Sequence, residues 1–244
     1  MRIIEESATI YDKIDTLAVM TKLEEAGRVC YKSEMGHDTA DAFVWQLITK
    51  GHESVLEHVS VTVKFVVDRG MSHEIVRHRL ASYSQESTRY CNYSKDRFNN
   101  EITVIKPCFW GENSVMYKSW EEACLRAETQ YFRLLEDGAS PQEARSVLPN
   151  SLKTELFMTA NLREWRHFFR MRIAPNAHPH LRKVVLSLYK QFCDVLPVVF
   201  EDIAFTDVVP VVKCKNCESY NHCMVDFAIY PDDYCSYGKG GTNP

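Results

Sequence analysis

An α+β domain followed by a short cysteine-rich tail is the architecture that this sequence predicts, on three observations. Two runs read as strands, "HVSVTVKFVV" at 58–67 and "TELFMTAN" at 154–161, and the first alternates and is rich in β-branched residues. Between and around them lie longer segments whose apolar residues recur at helical spacing. The composition changes near Val211, beyond which Cys, Asn, Tyr, Asp and Gly prevail. One domain over 1–210 and a tail over 211–244 follow.

The elements come in this order. "RIIEESATIY" reads as a short opening strand. "IDTLAVMTKLEEAGRVCY" has Leu17, Met20, Leu23 and Val29 roughly on one helical face. "DTADAFVWQLITKGH" is a second helix, with Asp38 or Thr39 as cap and Gly51 as stop. "GMSHEIVRHRL" then turns helical and carries a basic cluster at its end. A short strand at "EITVIKP" precedes a long amphipathic helix from Asn113 to Glu136 that Gly138 terminates. In "SPQEARSVLP", Ser140 is a cap, Pro141 takes the first helical position and Glu143 stands three residues after the cap. "LREWRHFFRMR" and "HLRKVVLSLYKQFCDVLPVVFEDI" are the closing helices. No internal repeat or low-complexity linker interrupts them.

Charge and composition narrow the function. With 29 basic and 33 acidic side chains the formal charge is −4, so a nucleic-acid backbone is not the expected partner. Positive charge is local, which suits a small anionic ligand. No stretch has the length of a transmembrane helix, and "MRIIEESATIYDK" lacks the layout of a signal peptide, so a cytoplasmic protein without membrane partners is expected. Thiols there are reduced. Of the nine cysteines, Cys30, Cys91, Cys108, Cys124 and Cys193 are scattered, whereas Cys214, Cys217, Cys223 and Cys235 crowd the tail. A coreless segment needs a staple, and zinc on those four thiolates supplies one, with His222 as a spare ligand. Free thiols and disulfides are the alternatives.

Three polar clusters carry the chemistry. "RHRLASYSQESTRY" packs Arg77, His78, Arg79 and Arg89 among Ser82, Ser84 and Ser87. Guanidinium groups make forked, charge-assisted bonds to phosphate, and small hydroxyls add neutral donors. A solvated basic face is the bland alternative. Neither a "GxxxxGK[ST]" loop nor a "GxGxxG" turn is present, which removes P-loop and Rossmann sites. "GHESVLEHVS" offers His52, Glu53, Glu57 and His58, but not at "HExxH" spacing. "NLREWRHFFRMRIAPNAHPH" holds Arg163, Arg166 and Arg170 on adjacent turns, together with Arg172 and three histidines. Like charges so spaced want an anion between them or solvent around them, and solvent is the expectation for Arg166 and Arg170.

At Arg77-His78-Arg79, seven residues, then Ser87-Thr88-Arg89, the chain closely resembles the flavin-dependent thymidylate synthases, whose signature is RHR, seven or eight residues, then S-x-R. "GHESVLEH" resembles that family's G-H-x-[ST]-x-x-E-H segment, "EARSVLPNS" its A-R-x-[VI]-L-P block, and "NLREWRHFFRMR" its N-x-R-x-[WL]-x-x-F-x-x-x-R helix. The blocks stand in the family's order and span about residues 20 to 200. The resemblance implies a single mixed α/β catalytic domain of that type. It implies dTMP made from dUMP, with 5,10-methylenetetrahydrofolate as carbon donor, bound FAD, and NADPH as reductant. It also implies a homotetramer with shared active sites.

Carried over position by position, Ser54, Arg77, His78, Arg79, Gln85, Asn161, Arg163 and His167 match flavin-contacting residues. Glu74, Arg77, Gln85, Glu86, Ser87, Thr88, Arg89, Arg145 and Arg172 match the dUMP side. Arg172 matches the arginine that meets the uracil ring and is the catalytic candidate; Ser87 matches a phosphate ligand, with no base beside it to make it a nucleophile. The chain departs from the family at Cys30, where Ser is frequent, at Asn176, where His is common, and at "AHPHLR". The tail lies outside the family pattern, and its "YCSYGK" end resembles those of phage-encoded proteins, which would place the enzyme in a host cytoplasm. Two other readings stand beside this one: a same-fold enzyme that transfers a methyl or hydroxymethyl group to another pyrimidine nucleotide, and a flavin-less nucleotide- or RNA-binding protein.

Overall fold

The computed structural model describes residues 1–203 apart from Tyr31, Met35, His37 and Asp38. The expected cap Asp38 and the expected zinc ligands Cys214, Cys217, Cys223 and Cys235 lie outside the described residues. In chain order the elements are β1 (Arg2–Ile4), β2 (Ser7–Ile10), α1 (Thr16–Val29), α2 (Ala40–Thr49), β3 (Ser60–Asp68), α3 (Arg69–Ile75), β4 (Ala81–Gln85), β5 (Thr103–Ile105), α4 (Val115–Glu136), α5 (Pro141–Ala144), β6 (Lys153–Asn161), α6 (Leu162–Arg172), α7 (Pro179–Val195) and α8 (Pro197–Phe200). Short 3₁₀ turns lie at Glu53–His58, Asp96–Phe98 and Arg145–Val147.

An antiparallel sheet in the order β2-β3-β6-β4 organises the chain, and β1 pairs in parallel with β5 beside it. β3 and β6 are matched along their whole length, from Ser60 opposite Asn161 to Asp68 opposite Lys153. Their alternation sends Val61, Val63, Phe65, Val67, Leu156, Met158 and Ala160 into the core, while Thr62, Lys64, Glu155 and Phe157 stay half-buried on the other face. Against the buried face stand Trp165, Phe168 and Phe169 of α6, Phe192 of α7 and Phe200 of α8, all without solvent exposure. A smaller core beneath α4 joins Tyr131 and Cys124 to Ile102, Val104, Tyr93 and Leu152.

Several sequence expectations are met in detail. Ser114 accepts the Tyr117 N–H at 3.1 Å to open α4, and Gly138 closes it at φ +95°. Ser140 and Glu143 form a capping box, the carboxylate accepting the Ser140 N–H at 2.8 Å. Three expectations are corrected. The opening segment is two strands in two sheets, because the acids between them are drawn elsewhere: Glu6 to His180 at 3.0 Å and Glu5 to Lys183 at 3.2 Å. On α1 the buried stripe is Met20, Leu23, Glu24 and Gly27. Leu17, in the first turn, and Val29, off that stripe, are exposed. A Cβ on Gly27 would lie 2.6 Å from the Phe43 ring, so the stripe sets a close approach of α1 to α2.

The third correction concerns the site. The helix expected to run through the basic cluster stops at Ile75, and residues 81–85 form the edge strand β4 on β6, with Ala81 opposite Ala160. The Tyr83 hydroxyl reaches the carbonyls of His78 (2.7 Å) and Ile75 (3.0 Å), taking up acceptors that a longer helix would have used itself.

Candidate functional site

α3 and α6 leave opposite ends of the β3–β6 ladder, each opened by a side-chain cap. Asp68 accepts the Met71 N–H at 2.6 Å, and Asn161 accepts the Glu164 N–H at 2.9 Å. The two helices therefore converge, and the far end of α6 meets the end of α3. There Arg172 donates its Nε–H to Nε2 of His78 (3.1 Å), one Nη1–H to the Glu74 carboxylate (2.7 Å) and one Nη2–H to the Glu74 carbonyl (2.8 Å). Among the described residues, three of the five guanidinium N–H bonds are engaged. Nδ1 of His78 faces the carboxylate of Glu164 at 3.2 Å.

His78 is buried, packed edge-on to Phe168 at 4.8 Å between centroids and to His167 at 5.5 Å. Burial, then the charges of Arg172 and His167, push its pKa down to about 4. The imidazole is thus neutral at physiological pH, and its contact with Glu164 is a hydrogen bond rather than an ion pair. Burial raises the Glu164 carboxyl, and His167 partly opposes this. Burial, with Glu164 nearby, also lifts the Tyr83 phenol to about 12.

Arg77 and Arg79 flank His78, both exposed, and no hydrogen bond or ion pair with a described residue engages either guanidinium. Gln85 closes β4 by donating to Ser72 on α3 (2.9 Å) and Thr154 on β6 (3.2 Å). Beyond it a tight turn holds Ser87, whose Oγ accepts the Arg89 N–H at 3.3 Å. Arg145 reaches across to Thr88 Oγ1 at 3.2 Å, and the exposed Arg89 lies over the Tyr90 ring. Two basic groups result, one around His78 and Arg172, the other around Thr88, Arg89 and Arg145. β4 separates them, and five extended residues span about 17 Å. Glu86 is turned away from both: it accepts the Tyr93 hydroxyl (3.2 Å) and pairs with Lys153 (2.9 Å). Burial alone would lower Lys153, but its bonds to Glu86 and Glu155 raise it instead. Gln85, Glu86, Lys153 and Phe157 line an open groove of about 500 Å³ on this side of the sheet.

The remaining candidates sit on the 3₁₀ turn Glu53–His58 and the adjoining face of α6. Arg163 pairs with Glu57 at 2.5 Å, His167 is exposed, and Ser54 is exposed on the turn. The solvated role expected for Arg166 is overturned. It is fully buried and holds Asp202 with a fork at 2.5 and 2.6 Å. It also bonds Glu53 at 3.0 Å and the Val199 carbonyl. Arg170 is half exposed and shares Glu53 at 3.0 Å. The repulsion between neighbouring arginines is relieved by carboxylates from outside the helix.

Sequence reasoning missed Glu164 and Tyr83 as parts of the site. The signal for Glu164 lies in α6 itself: Glu164, Phe168 and Arg172 are spaced by four on one face, so a buried Phe168 implies a buried acid one turn before it.

A family model described as thymidylate synthase complementing protein matches residues 15–198. A flavin-dependent thymidylate synthase of Geobacter sulfurreducens is 34% identical over 186 residues, covering 72% of this chain and 78% of that protein. One of Mycobacterium avium is 32% identical over 200 residues, covering 74% and 78%. Among solved structures, a UMP/dUMP methylase PolB from Streptomyces cacaoi bound with 5-Br UMP superposes with a TM-score of 0.66. The superposition takes in 82% of this chain and 95% of that one, at 22% identity, a likeness of fold.

Proposed function

The chain belongs to the flavin-dependent thymidylate synthase family, and from that membership we propose that it methylates dUMP to dTMP with FAD as its flavin, 5,10-methylenetetrahydrofolate as carbon donor and NADPH as reductant. The observation that carries the reading is the pair of exposed guanidiniums of Arg77 and Arg79, without a partner among the described residues, around a neutral, buried His78. Two exposed cations that pair with no described carboxylate fit an anionic dinucleotide. Arg77, His78, Arg79 and His167 would hold the flavin, together with Ser54, Asn161 and Arg163, and Gln85 would border it.

When bound, the flavin supplies hydride chemistry that no side chain of this protein can perform. The chain's own part is binding and polarisation. Arg89 and Arg145, with the hydroxyls of Ser87 and Thr88, would take the dUMP phosphate. Glu86 would support that turn through Tyr93 and Lys153. Arg172 would place its remaining N–H bonds toward the uracil ring and stabilise the negative charge that makes carbon 5 nucleophilic. Glu74 holds the guanidinium in place for this. The separation of the two basic groups along β4 supports an active site completed by a second copy, in a homotetramer. The domain boundary near residue 210 and zinc on Cys214, Cys217, Cys223 and Cys235 remain part of the same proposal.

The test is spectroscopic, then chemical. The purified protein should be yellow and should release tritium from [5-³H]dUMP only with methylenetetrahydrofolate and NADPH present. A colourless, inactive protein overturns the reading. Release from UMP but not from dUMP would transfer it to another pyrimidine nucleotide, and the likeness to a UMP/dUMP methylase makes that comparison worth including.

A further inference from the structure

We infer that Glu164 is a positioning residue for the reaction: by holding the proton of His78 on Nδ1 it keeps Nε2 free to orient Arg172. This role rests on the thymidylate-forming reading above. Arginine nitrogens only donate, so the 3.1 Å contact from Arg172 Nε requires a lone pair on Nε2 of His78. A neutral imidazole has one acceptor and one donor nitrogen, so the proton sits on Nδ1. The group that receives it, at 3.2 Å, is the Glu164 carboxylate. Without that acceptor, Nδ1–H would be a buried donor with no partner. The ring would gain by turning or by moving its proton to Nε2, and either change takes away the acceptor that Arg172 uses.

The surroundings leave Glu164 little other work. It is buried on α6, one turn before Phe168 and two before Arg172, and its backbone N–H is taken by the Asn161 cap. His78, Glu164 and His167 place ligand atoms within 4.8 Å of one another, a spacing that could suggest a metal. The Arg172 contact argues against it, because a metal on Nδ1 would need the lone pair that this tautomer gives up. The chain of contacts is directional: carboxylate to imidazole to guanidinium, with Glu74 fixing the other side of Arg172. A remote group that sets a ring's tautomer acts on chemistry through orientation, not through contact with the reacting atoms.

The holoenzyme can test this by a double-mutant cycle. Glu164→Leu should keep its flavin and lose about 10- to 100-fold in turnover, with a smaller change in KM for dUMP. In an Arg172→Ala background the same change should cost less than about 3-fold, because there is no guanidinium left to orient. Additive losses overturn the proposal. Glu164→Gln, whose carbonyl still accepts an N–H, should retain more turnover than Leu. Should the Leu variant fail to fold, Glu164→Asp, which falls short of Nδ1 by one methylene, takes its place in the same cycle. A second readout is independent of turnover. Magic-angle-spinning ¹⁵N spectra of histidine-labelled holoenzyme should show His78 as the Nδ1–H tautomer, identified by its loss in His78→Gln. That signature should be mixed or lost in Glu164→Leu, and its persistence unchanged refutes the role. A wild-type enzyme that releases no tritium defeats the thymidylate reading instead, and leaves the spectral arm to judge Glu164.

Discussion

Nε2 of His78 accepts the Nε–H of Arg172 across 3.1 Å, and a nitrogen that accepts cannot also hold a proton. Burial, Arg172 and His167 together hold the ring's pKa at about 4. The Arg172 contact therefore depends on pH, and its sign is fixed by which state of the chain binds the proton first.

In the unfolded chain His78 titrates near its ordinary value of 6.5, and in the folded protein near 4. Between these values the unfolded state carries a proton that the folded state lacks. Stability is accordingly complete above about pH 6.5, falls as pH drops through the window, and levels below about 4, with a total on the order of 3 kcal/mol. Urea midpoints measured from pH 7.5 down to 4.5 should fall more steeply for wild type than for His78→Gln. Parallel curves would mean that His78 takes no part in the acid response.

Arg166 has no exposed surface and forks onto Asp202, 36 residues later, while sharing Glu53, 113 residues earlier. Removing one member of a buried charge cluster strands the others. Arg166→Leu should cost about 3–5 kcal/mol in chemical denaturation. Arg166→Lys should recover only part of this, since an ammonium cannot match the two Asp202 oxygens at once. A Leu variant as stable as wild type would show that the cluster is replaceable by packing.

Three of the scattered cysteines, Cys108, Cys124 and Cys193, lack the setting of a nucleophile. Burial raises the Cys124 thiol to about 11 and pushes Cys108 and Cys193 upward as well. Thiolate is scarce at these positions at neutral pH. Single replacements of Cys30, Cys91, Cys108, Cys124 and Cys193 by Ala should each keep turnover within a few-fold, with Cys124→Ala losing stability in its small core. A variant that binds flavin and dUMP but does not turn over would assign that thiol to the chemistry.

The parts of the fold that were legible in the sequence are those whose signal is local. β3 alternates because one face is core, Ser140 and Glu143 bond each other within one turn, and α6 opens on its own cap. β4 escaped notice because "ASYSQ" is an edge strand with alternate residues exposed, so it lacks the apolar run that marks a central strand. The end of α3 is set by the Tyr83 hydroxyl arriving from β4, and the burial of Arg166 by carboxylates supplied from distant segments. The arginines of the candidate site stood out as charge. The carboxylates that decide which of them are free did not, because pairing is a property of the tertiary structure.

The same clamp sets where the chain can be shortened. The match to the family model ends at residue 198, yet Phe200 and Ile203 are buried in the main core and Asp202 completes the fork on Arg166. Tyr189 also donates its hydroxyl to the Phe200 carbonyl at 2.8 Å. The core therefore runs to at least Ile203, beyond the end of the family match. Truncation after residue 210 should leave the denaturation midpoint, flavin content and dUMP-dependent turnover close to those of the full chain. Truncation after 198 removes three core side chains, Val199, Phe200 and Ile203, and strands Arg166, which together should cost more than about 4 kcal/mol and yield insoluble protein. If the chain ending at 210 loses flavin or its oligomeric state, residues 211–244 belong to the catalytic assembly. If it loses neither, elemental analysis of full-length protein against the Cys214→Ser, Cys217→Ser variant should find about one zinc per chain in the former alone.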